Sequence, residues 1–166
     1  MDAQSDGAAS PAEEAKVTLR QWCHGVRITH RAQEQTAAKF DGFGRALAVG
    51  SLVISAVVGT AIFSTLSASP ALGWKIVVGL LSIIAAVLSA LQAGLKYPER
   101  ADRHRQAALD IGNLRHKMEI TLTKGDPRDD MPGLAEEWDS LQKNVPTVPR
   151  RLYARVEKEL AVAKSG

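Results

Sequence analysis

Charge is nearly missing from one long part of this 166-residue chain. Lys75 is the one charged residue between Ala46 and Leu95, although charged residues make up 23% of the whole sequence. A helix needs about 20 apolar residues to cross the roughly 30 Å hydrocarbon core of a bilayer. Each side of Lys75 is long enough, so the sequence predicts two membrane spans, at 46–69 and 76–95.

Cysteine is almost as scarce. Cys23 is the single cysteine, so no disulfide forms within the chain and no thiolate metal site can be built. Residues 1–14 lack the apolar run of a signal peptide and are rich in Ala, Ser, Asp and Glu. We expect them to be a disordered N-terminus. No segment stands out with the two-residue period of a strand, which predicts an all-α protein.

The spans are joined by a very short connection around residues 68–73. A short connection returns the second span beside the first, which predicts a transmembrane helical hairpin. Long amphipathic stretches flank it, and we expect them to form a cytoplasmic helical bundle from helices at about 15–40, 98–123, 132–144 and 150–164. Asp41-Gly42-Phe43-Gly44 predicts an interruption before the first span. The whole of 15–160 then forms one membrane domain.

Basic residues flank the outer ends of both spans, whereas the connection offers Lys75 alone. The positive-inside rule therefore places both termini in the cytoplasm and the connection outside. Trp74 and Tyr97 stand at opposite ends of the second span, where interfacial aromatic residues belong. These flanking residues are Arg27, Arg31, Lys39 and Arg45 before the first span, and Lys96, Arg100, Arg103 and Arg105 after the second.

The second span separates small from large residues around its axis. Because helices in lipid approach closely through small residues, we expect the small face to meet protein and the large face to meet lipid. The small face is Gly79, Ser82, Ala86, Ser89, Ala90, Ala93 and Gly94, and the large face is Leu80, Ile84, Leu88, Leu91 and Leu95.

The first span offers a matching ridge, Ser51, Ser55 and Gly59, with Thr60 as a further hydroxyl. Two uses of these faces are open, packing within one hairpin and contacts in an oligomer or pore. Gln92 is the most polar residue deep in the second span. Its amide either makes one interhelical hydrogen bond or lines a wet path.

Residues that could carry chemistry are few. His24, His30, His104 and His116 lack the spacing of a metal motif, and no set of residues resembles a nucleophile with its base. The sequence therefore predicts no enzyme and no cofactor.

Two features leave a ligand open. The histidines either face solvent or pack between helices, or they bind a metal or sense protons. The basic run after the second span either sets topology against anionic headgroups or binds phosphate or a nucleotide ligand. The candidate ligand or signal-sensing residues are His30, Arg100, Arg103 and His104.

Short motifs along most of the chain resemble the SLATT domains, two-helix membrane effectors of bacterial conflict systems. The resemblance covers about 15–160 and lies in architecture and low-specificity motifs. These are Trp22 with His30-Arg31-Ala32, Val57-Val58-Gly59-Thr60-Ala61-Ile62-Phe63, Ala90-Leu91-Gln92, Glu99-Arg100-Ala101-Asp102-Arg103-His104-Arg105 and Asn144-Val145-Pro146-Thr147-Val148-Pro149.

The resemblance implies an effector that damages the bacterial inner membrane once infection is sensed. Two spans cannot enclose a pore, so a pore implies a homo-oligomer. Its trigger would come from a separately encoded sensor, nucleotide-signal enzyme or reverse transcriptase, or from a diffusible ligand. No catalytic residue and no nucleic-acid binding are implied. A different class remains open, a membrane adaptor or anchor that recruits or regulates a partner without conducting ions.

Overall fold

A computed structural model describes residues 10–66 and 72–165, without the side chains of 62–66, 72, 164 and 165. This part contains helices and no strand, which confirms the predicted all-α class. The helices are α1 (Pro11–Leu66), α2 (Leu72–Leu95), α3 (Tyr97–Leu122), α4 (Met131–Asn144) and α5 (Arg150–Ser165). The predicted connection at 68–73 and the last residues of the span 46–69 lie largely outside the described residues.

Helix α1 begins earlier than the sequence predicted. Ser10 precedes it, and the Ser10 hydroxyl accepts from the backbone N–H of Glu13 at 3.3 Å. Pro11 occupies the first helical position, where its missing N–H costs nothing, and Glu13 and Glu14 favour the positive helix end. The prediction of disorder is therefore wrong for residues 11–14, and residues 1–9 lie outside the described part.

The predicted interruption at Asp41–Gly44 is also wrong, because α1 continues through these residues. A glycine inside a helix costs about 0.5–1 kcal/mol relative to alanine, which weakens a helix without ending it. Gly44 also has a use in packing. A Cβ there would lie 3.2 Å from the Cβ of Tyr97, so the missing side chain lets α1 approach the start of α3.

A single residue separates α2 from α3. Lys96 has a φ of 47°, in the left-handed region that side chains other than glycine rarely adopt. Pro98 follows as the second residue of α3, where its ring cannot disturb an earlier turn of the same helix. The proline therefore stands in the first turn of a new helix.

The described chain forms two compact units. The hairpin unit is Ala37–Asp102, and the bundle unit is made of the residues up to Thr36 and from Arg103 onward. Both α1 and α3 contribute residues to each unit.

Within the hairpin unit, α1 and α2 face each other through positions spaced alternately three and four residues apart. The hydroxyls of Ser51 and Ser89 are hydrogen-bonded at 3.2 Å, while Gly44 lies opposite Tyr97, as an antiparallel pair requires. This spacing is typical of helices that interlock along a shallow crossing. The half-buried or buried series are Leu47, Ser51, Ile54, Val58 and Ala61 on α1, and Val78, Leu81, Ala85, Leu88, Gln92 and Leu95 on α2.

Within one hairpin, α2 therefore meets α1 mainly through a side other than the small face, and the assignment of Leu88 and Leu95 to lipid is wrong. Contact of the small face with a second copy, the other use that the sequence left open, stays a prediction. Every residue of the small face is exposed, and Leu88 and Leu95, assigned to lipid, are half-buried on the side facing α1. A helical-wheel argument cannot separate these cases, because small and large residues both make good contacts when the opposing helix complements their shape. Ser89 is the member of the small face that reaches α1, through Ser51.

The outside of the hairpin is apolar and open. The most apolar 18-residue window within Pro11–Ala61 has 6% of its residues buried. The corresponding window within Gly73–Leu122 has none buried. The core helix of a water-soluble domain would be mostly buried, and a soluble monomer rarely exposes such a large apolar patch. Both helices are long enough to cross a bilayer. The most exposed large side chains include Leu52, Val53, Ile76, Leu80, Ile83 and Val87.

The bundle unit has the core of a soluble domain. Its main cluster joins α1, α3 and α4, with Trp22, Trp138 and Leu141 packed against it. A second cluster joins Ile28 and Ala32 of α1 to Val156 of α5. The amphipathic stretches on either side of the hairpin therefore pack on each other, as expected for a helical bundle. The buried residues of the main cluster are Leu19, Val26, Ile111, Leu114, Met118 and Leu134.

Gly42 and Gly44 provide a matched test of the hairpin packing. A Cβ at Gly42 meets nothing within 4 Å, so Gly42→Ala should raise the free energy of unfolding by about 0.5–1 kcal/mol through helix propensity. Gly44→Ala should lower it, because overpacking against Tyr97 costs about 1–3 kcal/mol. Thermal unfolding of the purified protein in detergent, followed by circular dichroism, measures both. Equal stabilisation by the two substitutions would contradict the close contact.

Candidate functional site

The exposed small residues of α2 form a regular ridge. Ser82, Ala86, Ala90 and Gly94 are spaced four residues apart, and all four are exposed. The Ser82 hydroxyl donates to the carbonyl of Val78 at 2.9 Å, so it is already satisfied within the helix. We call Ser82, Ala86, Ala90 and Gly94 the small-residue ridge. Gly79 lies beside its start, and a Cβ at Gly79 or Gly94 would meet nothing within 4 Å.

The polar candidates of the first span do not share one face. Ser51 is half-buried against Ser89, whereas Ser55 and Thr60 are exposed. The Thr60 hydroxyl donates to the carbonyl of Ala56 at 2.9 Å. Gly59 is half-buried, but a Cβ there would meet nothing within 4 Å. The structure therefore brings Ser51 to α2 and does not make Gly59 a point of close approach within the hairpin.

Gln92 lies on the side of α2 that faces α1 and is half-buried. Its side-chain amide has no hydrogen-bond partner among the described residues. The interhelical hydrogen bond that the sequence left open is thus absent from this part of the chain. Gln92 instead borders a cavity at the end of α2, next to Lys96.

A buried polar link ties three segments of the bundle unit together. Gln33 on α1 is 1% exposed and His104 on α3 is 6% exposed. The Gln33 Nε2 donates to the carbonyl of Pro146 at 2.9 Å. The Gln33 Oε1 is left to accept, so the Nδ1–H of His104 donates to it. The link holds the connection between α4 and α5 against α1 and α3.

Burial also acts on the charge of this link. Desolvation lowers the pKa of His104 below its usual value of 6.5, so the neutral form is favoured in the folded protein. The position of His104 after a basic run does not predict this lowered pKa. The burial of Gln33 and His104 depends on how α1 packs against α3.

His30 has a different environment. Its ring packs over Gly112, where a Cβ would lie 3.2 Å from Nε2, and Nδ1 is buried without a partner among the described residues. Burial lowers the pKa of His30, opposed by Glu34 and assisted by Arg115 and Arg31. His30 and His104 therefore have separate partners, and the structure does not join them in one ligand site.

The remaining candidates lie on the surface or are held in an unreactive form. Arg100 and Arg103 are exposed. Burial raises the pKa of the half-buried Cys23, with a further rise from Glu119, so its thiol stays protonated near neutral pH. In the described part of the chain, no three His, Cys, Asp or Glu residues are grouped as a metal site needs.

Comparison with protein families gives the decisive observation. Residues 16–149 match the SMODS and SLOG-associating 2TM effector domain, family 4, or SLATT_4. The chain belongs to this family. No curated protein and no solved structure matches the chain.

The SLATT_4 assignment agrees with the architecture. Two helices that can span a bilayer and a two-transmembrane family domain together indicate a membrane protein. The match begins in the first turns of α1 and ends at Pro149, directly before α5. It therefore includes the hairpin, the Gln33–His104 link and the small-residue ridge.

Sequence reasoning missed three of these features. Gln33 is an ordinary amide in the sequence, and its burial follows from packing. The contact face of α2 gave no decisive signal, because its small and its large residues both recur at helical spacing. The start of α1, in contrast, was readable from Ser10, Pro11 and Glu13.

The lowered pKa values of His104 and His30 predict acid destabilisation of the bundle unit. Below pH 6.5 the unfolded chain binds more protons than the folded one, so the free energy of unfolding should fall. Each extra proton accounts for at most about 1.4 kcal/mol per pH unit. Tryptophan fluorescence can follow unfolding in detergent, because Trp22 and Trp138 pack against the core.

Substituting the histidines separates this effect from general acid sensitivity. His104→Gln should flatten the fall in stability below pH 6.5, since glutamine does not titrate. His116→Gln, at an exposed position on the same helix, is the matched control. An equal flattening by both substitutions, or by neither, would contradict the role given to burial.

Proposed function

We propose that this SLATT_4 protein oligomerises in the bacterial inner membrane and forms a pore or otherwise perturbs that membrane, as part of an anti-phage or abortive-infection system. The family supplies the coarser statement, a membrane effector associated with conflict systems. The observation that carries the finer statement is the exposed small-residue ridge on α2, turned away from α1.

The ridge supports self-association because one hairpin leaves it uncovered. In lipid there is no hydrophobic drive between helices, so association depends on close packing and small residues at four-residue spacing allow backbones to approach. The large side chains on a third side of α2, such as Leu80, Val87 and Leu91, are exposed and suit contact with lipid. Each α2 thus offers one side to α1, one to a neighbour and one to lipid.

A membrane pore needs several hairpins, since two spans cannot enclose one. Ser55 and Thr60 are exposed hydroxyl residues of α1 that neighbouring copies could turn toward such a pore. The flanking basic residues favour a topology with both termini in the cytoplasm. The trigger would be a separately encoded sensor, nucleotide-signal enzyme or reverse transcriptase.

Ala90→Leu tests the ridge. The added bulk should weaken self-association by about 1–3 kcal/mol, or roughly 5- to 150-fold. We expect less depolarisation of bacteria expressing the variant, measured with a potential-sensitive dye, and smaller oligomers by mass photometry in detergent. Ala56→Leu, at an exposed position of α1, makes the same change away from the ridge and should behave as the unsubstituted protein.

Liposome leakage decides between the effector and an adaptor. Purified protein that forms oligomers and releases a trapped dye supports the effector. A protein that inserts, never leaks and purifies with one partner in fixed proportion would instead be a membrane adaptor or anchor. Full leakage by Ala90→Leu would overturn the ridge as the contact, while the effector itself would stand.

A further inference from the structure

A cavity of about 440 Å³ opens in the hairpin unit where α2 ends and α3 begins. Its lining combines residues of the last turns of α2 with residues of the first turn of α3. Lys96, whose left-handed backbone separates the two helices, lies in the middle of this lining. The lining residues are Ser89, Gln92, Ala93, Lys96, Pro98 and Glu99.

The cavity lies at the level of the lipid headgroups. Lys96 is the first charged residue after the span, and Tyr97 follows it. The Tyr97 ring lies 6.2 Å from the Phe40 ring and 6.3 Å from the Phe43 ring, measured between centroids. Phe43 is 63% exposed. Aromatic rings of this kind settle at the boundary between hydrocarbon and water.

One polar group in the cavity lacks a partner. Gln92 stands one helical turn before Lys96, about 6 Å further into the span. Nothing in the described part of the chain bonds to its side-chain amide. Hydrocarbon offers no hydrogen bonds, so an unmet amide at this depth is costly. A phosphate or ester oxygen of a lipid beside Lys96 is an acceptor that the membrane can supply to it.

The charges of the cavity are balanced. The Lys96 Nζ lies 3.6 Å from a carboxylate oxygen of Glu99, and both side chains are largely exposed, at 63% and 58%. A negative phosphate fits Lys96 and the Gln92 amide nitrogen, and a positive ammonium fits the Glu99 carboxylate. A ligand with one charge of each sign complements this lining, whereas a purely anionic headgroup meets the Glu99 carboxylate.

We propose that this cavity binds the headgroup of an aminophospholipid, whose phosphate and primary ammonium engage Lys96 and Glu99 while its phosphate or ester oxygens accept from Gln92. A primary ammonium has three N–H donors for the Glu99 carboxylate. A choline headgroup has none, and a glycerol headgroup has no positive charge. The site requires only that the hairpin is inserted, so it is independent of whether the protein conducts ions.

Native mass spectrometry can test the assignment on the full-length protein. The protein is reconstituted into vesicles with equal amounts of phosphatidylethanolamine, phosphatidylcholine and phosphatidylglycerol, then released in a mild detergent. We expect phosphatidylethanolamine to remain bound in preference to each of the others by roughly tenfold, the factor that one charge-assisted hydrogen bond provides. Equal retention of all three lipids, or of none, would overturn the site.

Two substitutions separate the parts of the headgroup. Glu99→Gln should remove the preference for phosphatidylethanolamine over phosphatidylcholine and raise retention of phosphatidylglycerol, because the lining then carries a net positive charge. Gln92→Leu should lower retention of all three lipids. Glu157→Gln, an exposed glutamate on α5, is the matched control and should change nothing.

The remaining outcomes count against the proposal. A preference for phosphatidylglycerol in the unsubstituted protein would show that Lys96 acts as a simple anion site. An unchanged lipid preference in Glu99→Gln would show that the lipid binds elsewhere. A second copy seen on this surface in place of lipid, with no lipid retained, would make the cavity part of the oligomer.

Insertion of each variant is checked by membrane fractionation, so a variant that fails to insert is replaced by Glu99→Ala or Gln92→Ala.

Discussion

The contact between α1 and α2 is the constraint on which the hairpin unit depends. In lipid, the hydrophobic effect does not drive two apolar helices together. The contact therefore depends on how closely the side chains spaced alternately three and four residues apart on α1 fit those on α2. The Ser51–Ser89 hydrogen bond and the close approach at Gly44 fix the antiparallel alignment. Once this side of α2 is used, the small-residue ridge and the large apolar side chains are left facing outward.

The bundle unit is built under different rules. Its core buries Leu19, Ile111, Leu114 and Met118 completely, as water-soluble domains do, and burial of apolar area supplies its stability. The Gln33–His104 link is the polar exception within it. Because Gln33 also donates to Pro146, the link orders the connection before α5, which a purely apolar contact would leave free to slide. A continuous α1 contributes to both units, so one helix follows two kinds of packing.

Patterns in the sequence carried much of the architecture. The absence of charge around Lys75 predicted the two spans. Apolar residues at helical spacing predicted the amphipathic helices beside them, because a 3.6-residue period can be read directly from residue order. The candidate site was less readable. Small and large residues lie on separate sides of α2, and either could meet α1. The side of α2 that faces α1 also includes Gln92. The rule that membrane helices pack through small residues does not predict an amide there.

The sequence by itself determined that the protein is all-α, that it has two membrane spans and that amphipathic helices flank them, because uncharged length and apolar period act locally along the chain. Tertiary structure alone decided which side of α2 meets α1, that α1 continues through Gly42 and Gly44, and that His104 is buried against Gln33. These outcomes depend on the shape of a distant segment. That shape exists only after the helices have packed, so it cannot be read from the order of residues.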